Sequence, residues 1–319
     1  MAEEQIVGSE MKGEMKPWEQ HSSVITLPRF DYKAPSSLLQ HSHSGFLVTC
    51  PFKREKSATK EAISILQKYI DICSGCNSED LNRNDIDVAS KKRKICVDDA
   101  GVNLEDDSCV SDKTIKNVSA LSLVKLIRSG LLLFTLPQEN SCDVVQIVSA
   151  IDNALESGSL SPLLWCNRIF PIQTTSCLNE KELHDTVTKL VKKFVNGRQM
   201  SSQPIMKFAV GYNRRGFDEK ERKSSKNTSI ETEELSLLDR NKCFSIVAGA
   251  VKDVVSDAVV DLVNPELSVL VELLPVSGLP TGNLVVAVSV LPRTLVTTKP
   301  KLCIKALLVS DDVKKGDVK

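Results

Sequence analysis

Aromatic side chains are scarce in this sequence, at 4% of 319 residues. Reading bases on stacked aromatic platforms therefore cannot be its main mode of action. No stretch approaches the ~20 consecutive apolar residues of a membrane span. The opening MAEEQIVGSEMKGEMKPWEQ is polar and acidic, without a basic segment followed by an apolar one, so no secretory signal is expected. Net charge is missing too, because 41 basic residues balance 41 acidic ones. The ten cysteines, at 50, 73, 76, 96, 109, 142, 166, 177, 243 and 303, lack the dense regular spacing of a small secreted scaffold. That pattern implies thiols in a reducing compartment rather than a disulfide framework.

Enzyme signatures are equally thin. There is no G-x-x-x-x-G-K-[ST] loop and no G-x-G-x-x-G after a strand, so no backbone cradle for a nucleotide is visible. No G-x-S-x-G elbow occurs. His21, His41, His43 and His184 form no H-E-x-x-H pair. His184, beside Asp185, reads as a solvated surface residue rather than a general base. Cys73-Ser74-Gly75-Cys76 is a C-x-x-C, open to reading as a redox pair or half a zinc site. No second C-x-x-C completes it, and it sits at a helix end rather than at a helix start where a thiolate is stabilised. Asn264-Pro265-Glu266-Leu267 is distantly like the N-P-P-aromatic motif of amino-methylating enzymes. It lacks the aromatic and reads better as a helix-to-strand turn. No cofactor and no metal are expected.

What is present is a two-domain length with 41% apolar residues, enough for a substantial core. Strand-like and helix-like stretches alternate. Strands are expected at Gly45–Cys50, Gly130–Leu136, Lys207–Tyr212, Leu267–Leu274 (a central one) and Asn283–Val290, with extended chain from Trp165 to Pro171. Helical spacing joins Ala58, Ala62, Ile65 or Leu66 and Tyr69, then Val144, Val148, Ile151 and Leu155. It recurs at Leu183, Val187, Leu190 and Phe194, and again at Phe244, Val247, Val251 and Val254. The pattern implies an α/β architecture of two small sheets covered by helices, without solenoid repeats.

Charge is distributed unevenly. Residues 77–112 hold ten acids against five bases, with sparse apolar residues, which marks a disordered insertion. Within it Lys91-Lys92-Arg93-Lys94 is either a nuclear import signal or a solvated charge run. Residues 161–217 are the opposite, with nine bases against Glu180, Glu182 and Asp185. Lys189, Lys192 and Lys193 lie opposite the apolar face of their helix. Tyr212-Asn213-Arg214-Arg215-Gly216 ends a strand, and two guanidinium groups there suit phosphate contacts. A solvated face with a basic loop has the same composition.

Taken together, Lys207-Phe208-Ala209-Val210-Gly211-Tyr212-Asn213-Arg214-Arg215, Val260-Asp261-Leu262-Val263-Asn264-Pro265 and Ser268-Val269-Leu270-Val271-Glu272 resemble the second half of a THUMP domain. Arg168-Ile169-Phe170-Pro171-Ile172 is similar to the strand before it. Gly45–Cys50 with Arg54-Glu55 and Glu61-Ala62 resembles the opening of the THUMP domain-containing protein 1 family, which also carries an acidic insertion after this helix. The resemblance implies a disordered tail over 1–43 and a ferredoxin-like N-terminal domain over 44–136, interrupted by an acidic disordered insertion at 74–118. A THUMP domain over 140–292 and a basic C-terminal tail over 293–319 complete the expectation.

The function implied by the resemblance is that of a tRNA-binding adaptor, not an enzyme. THUMP domains generally sit beside a catalytic module and, with a ferredoxin-like neighbour, grip the acceptor end of tRNA. This family lacks such a module, and only residues 292–319 follow Leu291 here, against ~100 or more for a typical domain. Its members are required for N4-acetylcytidine formation in the D-arm of serine and leucine tRNAs, acting with a GNAT-type RNA cytidine acetyltransferase. Partners expected are thus tRNA and that acetyltransferase, with no membrane and no metal, in the nucleus or nucleolus, or the cytoplasm. Carried over residue by residue, the RNA contacts are Arg168, Lys207, Tyr212, Asn213, Arg214 and Arg215. Lys192, Lys193 and Arg198 are added on charge alone. Val260, Leu262, Val269, Val271 and Leu273 are expected in the core, with Asp261 orienting a turn. Two departures from the family are an apolar stretch from Gly278 to Leu291, either a buried strand or a dimer edge, and a long charged loop from Phe217 to Asp239. Two readings compete with the adaptor: an RNA-modifying enzyme with an unrecognised site around Asn264-Pro265, and a protein-interaction module without RNA binding.

Overall fold

The computed structural model describes residues 30–31, 33–73, 121–137, 142–197, 205–215, 239–279 and 284–307. Its first sheet has four strands in the order β2-β3-β1-β4: β1 (Gly45–Thr49), β2 (Ser122–Val124), β3 (Leu131–Thr135) and β4 (Arg168–Ile172). Every pairing is antiparallel; Thr49 lies opposite Leu131 on one side and Arg168 on the other. Following α1 (Ala34–Gln40), helix α2 (Glu55–Cys73) connects β1 to β2, and α3 (Val144–Glu156) connects β3 to β4. This βαββαβ order is ferredoxin-like. The helices form where apolar periodicity demanded them: α2 buries Ala58, Ala62, Ile65, Leu66 and Ile70, and α3 buries Val144, Ile147, Val148 and Ile151.

The second sheet is ordered β5-β9-β8-β6-β7. Its strands are β5 (Thr174–Cys177), β6 (Lys207–Arg214), β7 (Val259–Val260), β8 (Leu267–Leu274) and β9 (Val285–Pro292). Helices α4 (Glu180–Asn196) and α5 (Arg240–Val254) cover one face. Only Gln173 separates β4 from β5, so one extended segment passes from the first sheet into the second. Gln173 stitches itself to β9, with its N–H donating to the Val288 carbonyl at 3.1 Å and its side-chain oxygen accepting from Val290 N at 2.7 Å.

Strand β8 is buried at all eight positions, as a central strand with both faces covered must be. Val269, Val271 and Leu273 face the helices, while Leu270 and Leu274 join the core shared with the ferredoxin-like unit. The apolar stretch before Leu291 resolves the same way. It is β9, an interior strand between β5 and β8, and not a dimer edge.

Three expectations are corrected. Helix α3 and strand β4 complete the first sheet, so the ferredoxin-like unit runs to Ile172, and the second sheet's unit starts near Gln173 rather than at 140. The expected tail from 293 is folded as far as Leu307. A 3-10 turn (Arg293–Leu295) leads into the hairpin β10 (Val296–Thr297) and β11 (Cys303–Ile304), and Leu295, Val296, Ile304 and Leu307 are buried in the shared core. Within the expected N-terminal tail, α1 buries Ala34 and Leu38. The acidic insertion, with Lys91-Lys92-Arg93-Lys94, lies outside the described residues, as does most of the Phe217–Asp239 loop.

Candidate nucleic-acid interface

Strand β6 carries four of the expected contacts, and its two-residue alternation divides them. Phe208, Val210 and Tyr212 pack with the helix-side core, so Arg214, half-buried, falls on that side as well. Asn213 and Arg215 face the other way, toward the ferredoxin-like unit and the hairpin. Lys207 opens the strand and Arg214 closes it, roughly 23 Å apart at the usual rise per residue.

At the closing end, a polar cluster forms where both sheets and the hairpin meet. Glu272 on β8, only 3% exposed at its side chain, accepts from Arg215 Nε at 2.6 Å and Nη2 at 3.2 Å, and from Asn213 Nδ2 at 2.8 Å. The Arg215 guanidinium also lies 4.9 Å from the Phe170 ring of β4. Lys301 in the hairpin loop reaches back, its ammonium 3.1 Å from Asn213 Oδ1. Arg168 donates through Nε to the Ile304 carbonyl at 3.3 Å, which fastens β4 to the hairpin. The Cys303 thiol lies within the field of Arg168, Glu272, Arg215 and Lys301; burial is the largest influence on it and pushes its pKa up. Arg215 and Arg168 are therefore tied down by protein partners, whereas Lys301 is exposed. In the sequence Lys301 stands in a lysine-rich stretch that reads as a tail, which hides its place in the hairpin between β10 and β11.

The remaining expected residues lie elsewhere. Lys192 and Lys193 are exposed on α4, held there by the burial of Leu183, Val187, Leu190 and Val191 on its other face. Lys193 Nζ is 3.1 Å from Asp143 Oδ2, and Asp143 also caps α3 by accepting from Val145 N at 2.9 Å. Arg198 lies outside the described residues. His184 Nε2 sits 3.1 Å from Asp253 Oδ2 and joins α4 to α5 at the surface.

Lys207 pairs with Asp261 at 3.1 Å. Asp261 Oδ1 accepts from Val263 N and Asn264 N, both at 2.9 Å, which is the turn-orienting role expected of it. Those two amide bonds, and then the Lys207 ammonium, lower its pKa from 3.8 to about 2. A carboxyl held this low stabilises the fold above its unfolded value, and that contribution is lost as pH falls through about 2. In an NMR titration the Asp261 carboxyl carbon should have its midpoint near 2; a midpoint at 3.8 would show that the turn does not hold the anion. The flanking Val260 and Leu262, expected in the core, are instead 54% and 66% exposed. β7 is a two-residue edge strand, and nothing covers its outer side among the described residues.

None of the seven described cysteines is in a disulfide. Burial, chiefly, raises the Cys50 thiol to about 11 and the Cys243 thiol to about 12, which leaves them as inert core groups. The Cys73 thiol is also raised, first by burial and then by Cys142 and Asp143; Cys76 lies outside the described residues. Among the described residues no group of three or more His, Cys, Asp or Glu is placed to hold a metal ion. No described helix is long and apolar enough to cross a membrane.

The THUMP-domain family profile matches residues 177–276, from the last residue of β5 to just past β8. Residues 177–276 are thus a THUMP domain, carried beside a ferredoxin-like unit. No curated protein matches the chain. Among solved structures, the crystal structure of a 4-thiouridine synthetase–RNA complex with bound ATP is similar, with 8% identity and a TM-score of 0.32. The similarity covers 78% of this chain and 42% of that one, so the present chain spans less than half of its length.

Proposed function

We propose that this protein is a non-catalytic tRNA-binding adaptor, which presents serine and leucine tRNAs to a GNAT-type RNA cytidine acetyltransferase for N4-acetylcytidine formation in the D-arm. One observation carries the RNA-binding part: cationic and amide groups from β4, β6 and the hairpin converge at one end of the sheet of a THUMP domain. Ammonium and guanidinium groups so placed engage the phosphates and 2′-hydroxyls of an A-form stem, reading shape rather than base sequence. The acetyl transfer belongs, in this reading, to the partner enzyme, and the adaptor's contribution is to hold the stem in register. Nuclear or nucleolar residence is part of the same proposal.

Nucleoside mass spectrometry of tRNA from cells lacking the gene is the test. Loss of N4-acetylcytidine from the small-RNA fraction, with ribosomal acetylation intact, is expected. Unchanged acetylcytidine in cells without a redundant copy would overturn the adaptor role. Acetylation of tRNA by the purified protein with acetyl-CoA alone would overturn its non-catalytic part.

A further inference from the structure

Three loops sit together at the end of the ferredoxin-like sheet where β1 finishes and β3 and β4 begin. They are residues 51–54, 125–130 and 157–167. Main-chain bonds hold them in place: Cys50 N donates to the Gly130 carbonyl at 3.0 Å, and Asn167 N to the Thr49 carbonyl at 2.8 Å. Two helix carboxylates gather the rest. Glu55 Oε1 accepts from Gly130 N at 2.9 Å. The Glu61 carboxylate accepts from Leu164, Trp165 and Cys166 N at 2.7–2.8 Å. With those acids turned inward, the charged residues of the loops themselves are Lys53, Arg54, Lys125 and Arg128, and the loops contain no acid.

The aromatics are displayed on the same surface. Arg54 N donates to the Pro51 carbonyl at 3.1 Å, and Lys53 has φ 63°, so residues 51–54 make a type II turn with Phe52 at its tip. A non-glycine residue rarely occupies that left-handed position. Phe52 is 67% exposed, and Lys53 Nζ lies 5.8 Å from its ring. Beside it the Arg54 guanidinium stacks 4.9 Å from the Trp165 ring, with Arg54 itself exposed. In a chain so poor in aromatics, two of them meet cations here. Arg168, which bonds the Ile304 carbonyl of the hairpin, begins β4 immediately after the last of these loops.

We propose that Phe52, Lys53, Arg54 and Trp165 form a second RNA contact, one that takes unpaired nucleotides. The inference rests on the RNA-binding reading above and adds the class of RNA recognised. A duplex keeps its base faces stacked and offers only phosphates and sugars. An exposed ring and a guanidinium plane backed by tryptophan are the groups on which an unstacked base lies, with Lys53 against the flanking phosphate. Stacking recognition thus supplements the shape-reading junction without being the main mode.

The full-length protein is titrated with two fluorescent RNA hairpins that share one stem, one blunt and one bearing a single-stranded extension. The wild type should favour the extended probe. Phe52→Ala should weaken that probe about tenfold, toward the blunt value, and leave blunt binding unchanged. Phe52→Trp should keep the preference, and unchanged unfolding midpoints will separate contact loss from misfolding. A wild type that binds both probes equally, or a Phe52→Ala protein that retains the preference, overturns the proposal while the RNA-binding reading stands. The latter result is expected if the patch serves a protein partner. Failure to bind either probe overturns both readings.

Discussion

Replacing Arg215 with Glu should unfold this protein rather than selectively abolish RNA binding. Glu272 is 3% exposed and takes three hydrogen bonds, two from Arg215 and one from Asn213. Breaking a buried pair by removing one partner costs about 3–5 kcal/mol, because the other charge stays behind uncompensated. Arg215 retains 21% side-chain exposure, so after Glu272→Ala it can rehydrate in part, and a loss of about 3 kcal/mol is expected. Arg215→Met leaves the better-buried carboxylate with Asn213 alone and should cost about 4 kcal/mol. For a domain of this size that lowers the melting temperature by about 10 °C. Arg215→Glu adds a like charge and takes a large share of the ~5–15 kcal/mol that a typical domain has. The decisive comparison is Arg215→Met/Glu272→Leu, where both charges go together. Its melting temperature should recover most of what Arg215→Met alone loses. Equal melting temperatures for the single and double variants would show that the pair contributes nothing.

The same pair shows where sequence reading stops. Adjacent arginines at a strand exit look like one phosphate clamp. A strand sends neighbours to opposite faces, however, so Arg214 and Arg215 cannot act together on one ligand. A signal was available: Glu272 is the only ionisable residue in the run Leu267–Leu274, and a central strand cannot bury a carboxylate without a partner. The helices α2, α3 and α4 were legible because each has one apolar stripe. Helix α5 was legible with a rotated face, since Cys243 and Ala250 are buried while Phe244 is half-buried beneath the Arg240 guanidinium at 4.9 Å. The domain boundary was not legible. β4 pairs with β1 across the whole acidic insertion, and local periodicity carries no record of so distant a partner. Val260 and Leu262 misled for a related reason: apolar composition marks a strand without saying whether it lies inside the sheet or at its edge. The hairpin failed too, since strands of two residues show no period and the lysines around them read as tail. Yet its Leu295, Val296, Ile304 and Leu307 seal the junction.

That hairpin supplies the cleaner test of the interface. Lys301 is exposed and its ammonium bonds Asn213 Oδ1 at 3.1 Å, so Lys301→Glu should leave stability within about 0.5 kcal/mol. Its effect on RNA should be much larger. An ammonium about 4 Å from a phosphate contributes roughly 1 kcal/mol in water, and reversing the charge turns that attraction into repulsion. The sum, about 2 kcal/mol, is a loss of roughly 30-fold in affinity. Because the contact is to a phosphate, the loss should be similar across RNA stems of different sequence. The dependence of log K on log salt should flatten by about one contact. Lys192→Glu, on the outer face of α4, is the natural comparison: an equal effect there would point to diffuse attraction to the whole basic half, and a smaller one to a site at the junction. Binding of the Lys301→Glu protein at wild-type affinity, with its melting temperature unchanged, would move the RNA away from this end of the sheet. Among the described residues, the remaining cationic surfaces would then include Lys53 and Arg54 at the loop end of the first sheet, Lys192 and Lys193 on α4, and Lys207 at the far end of β6.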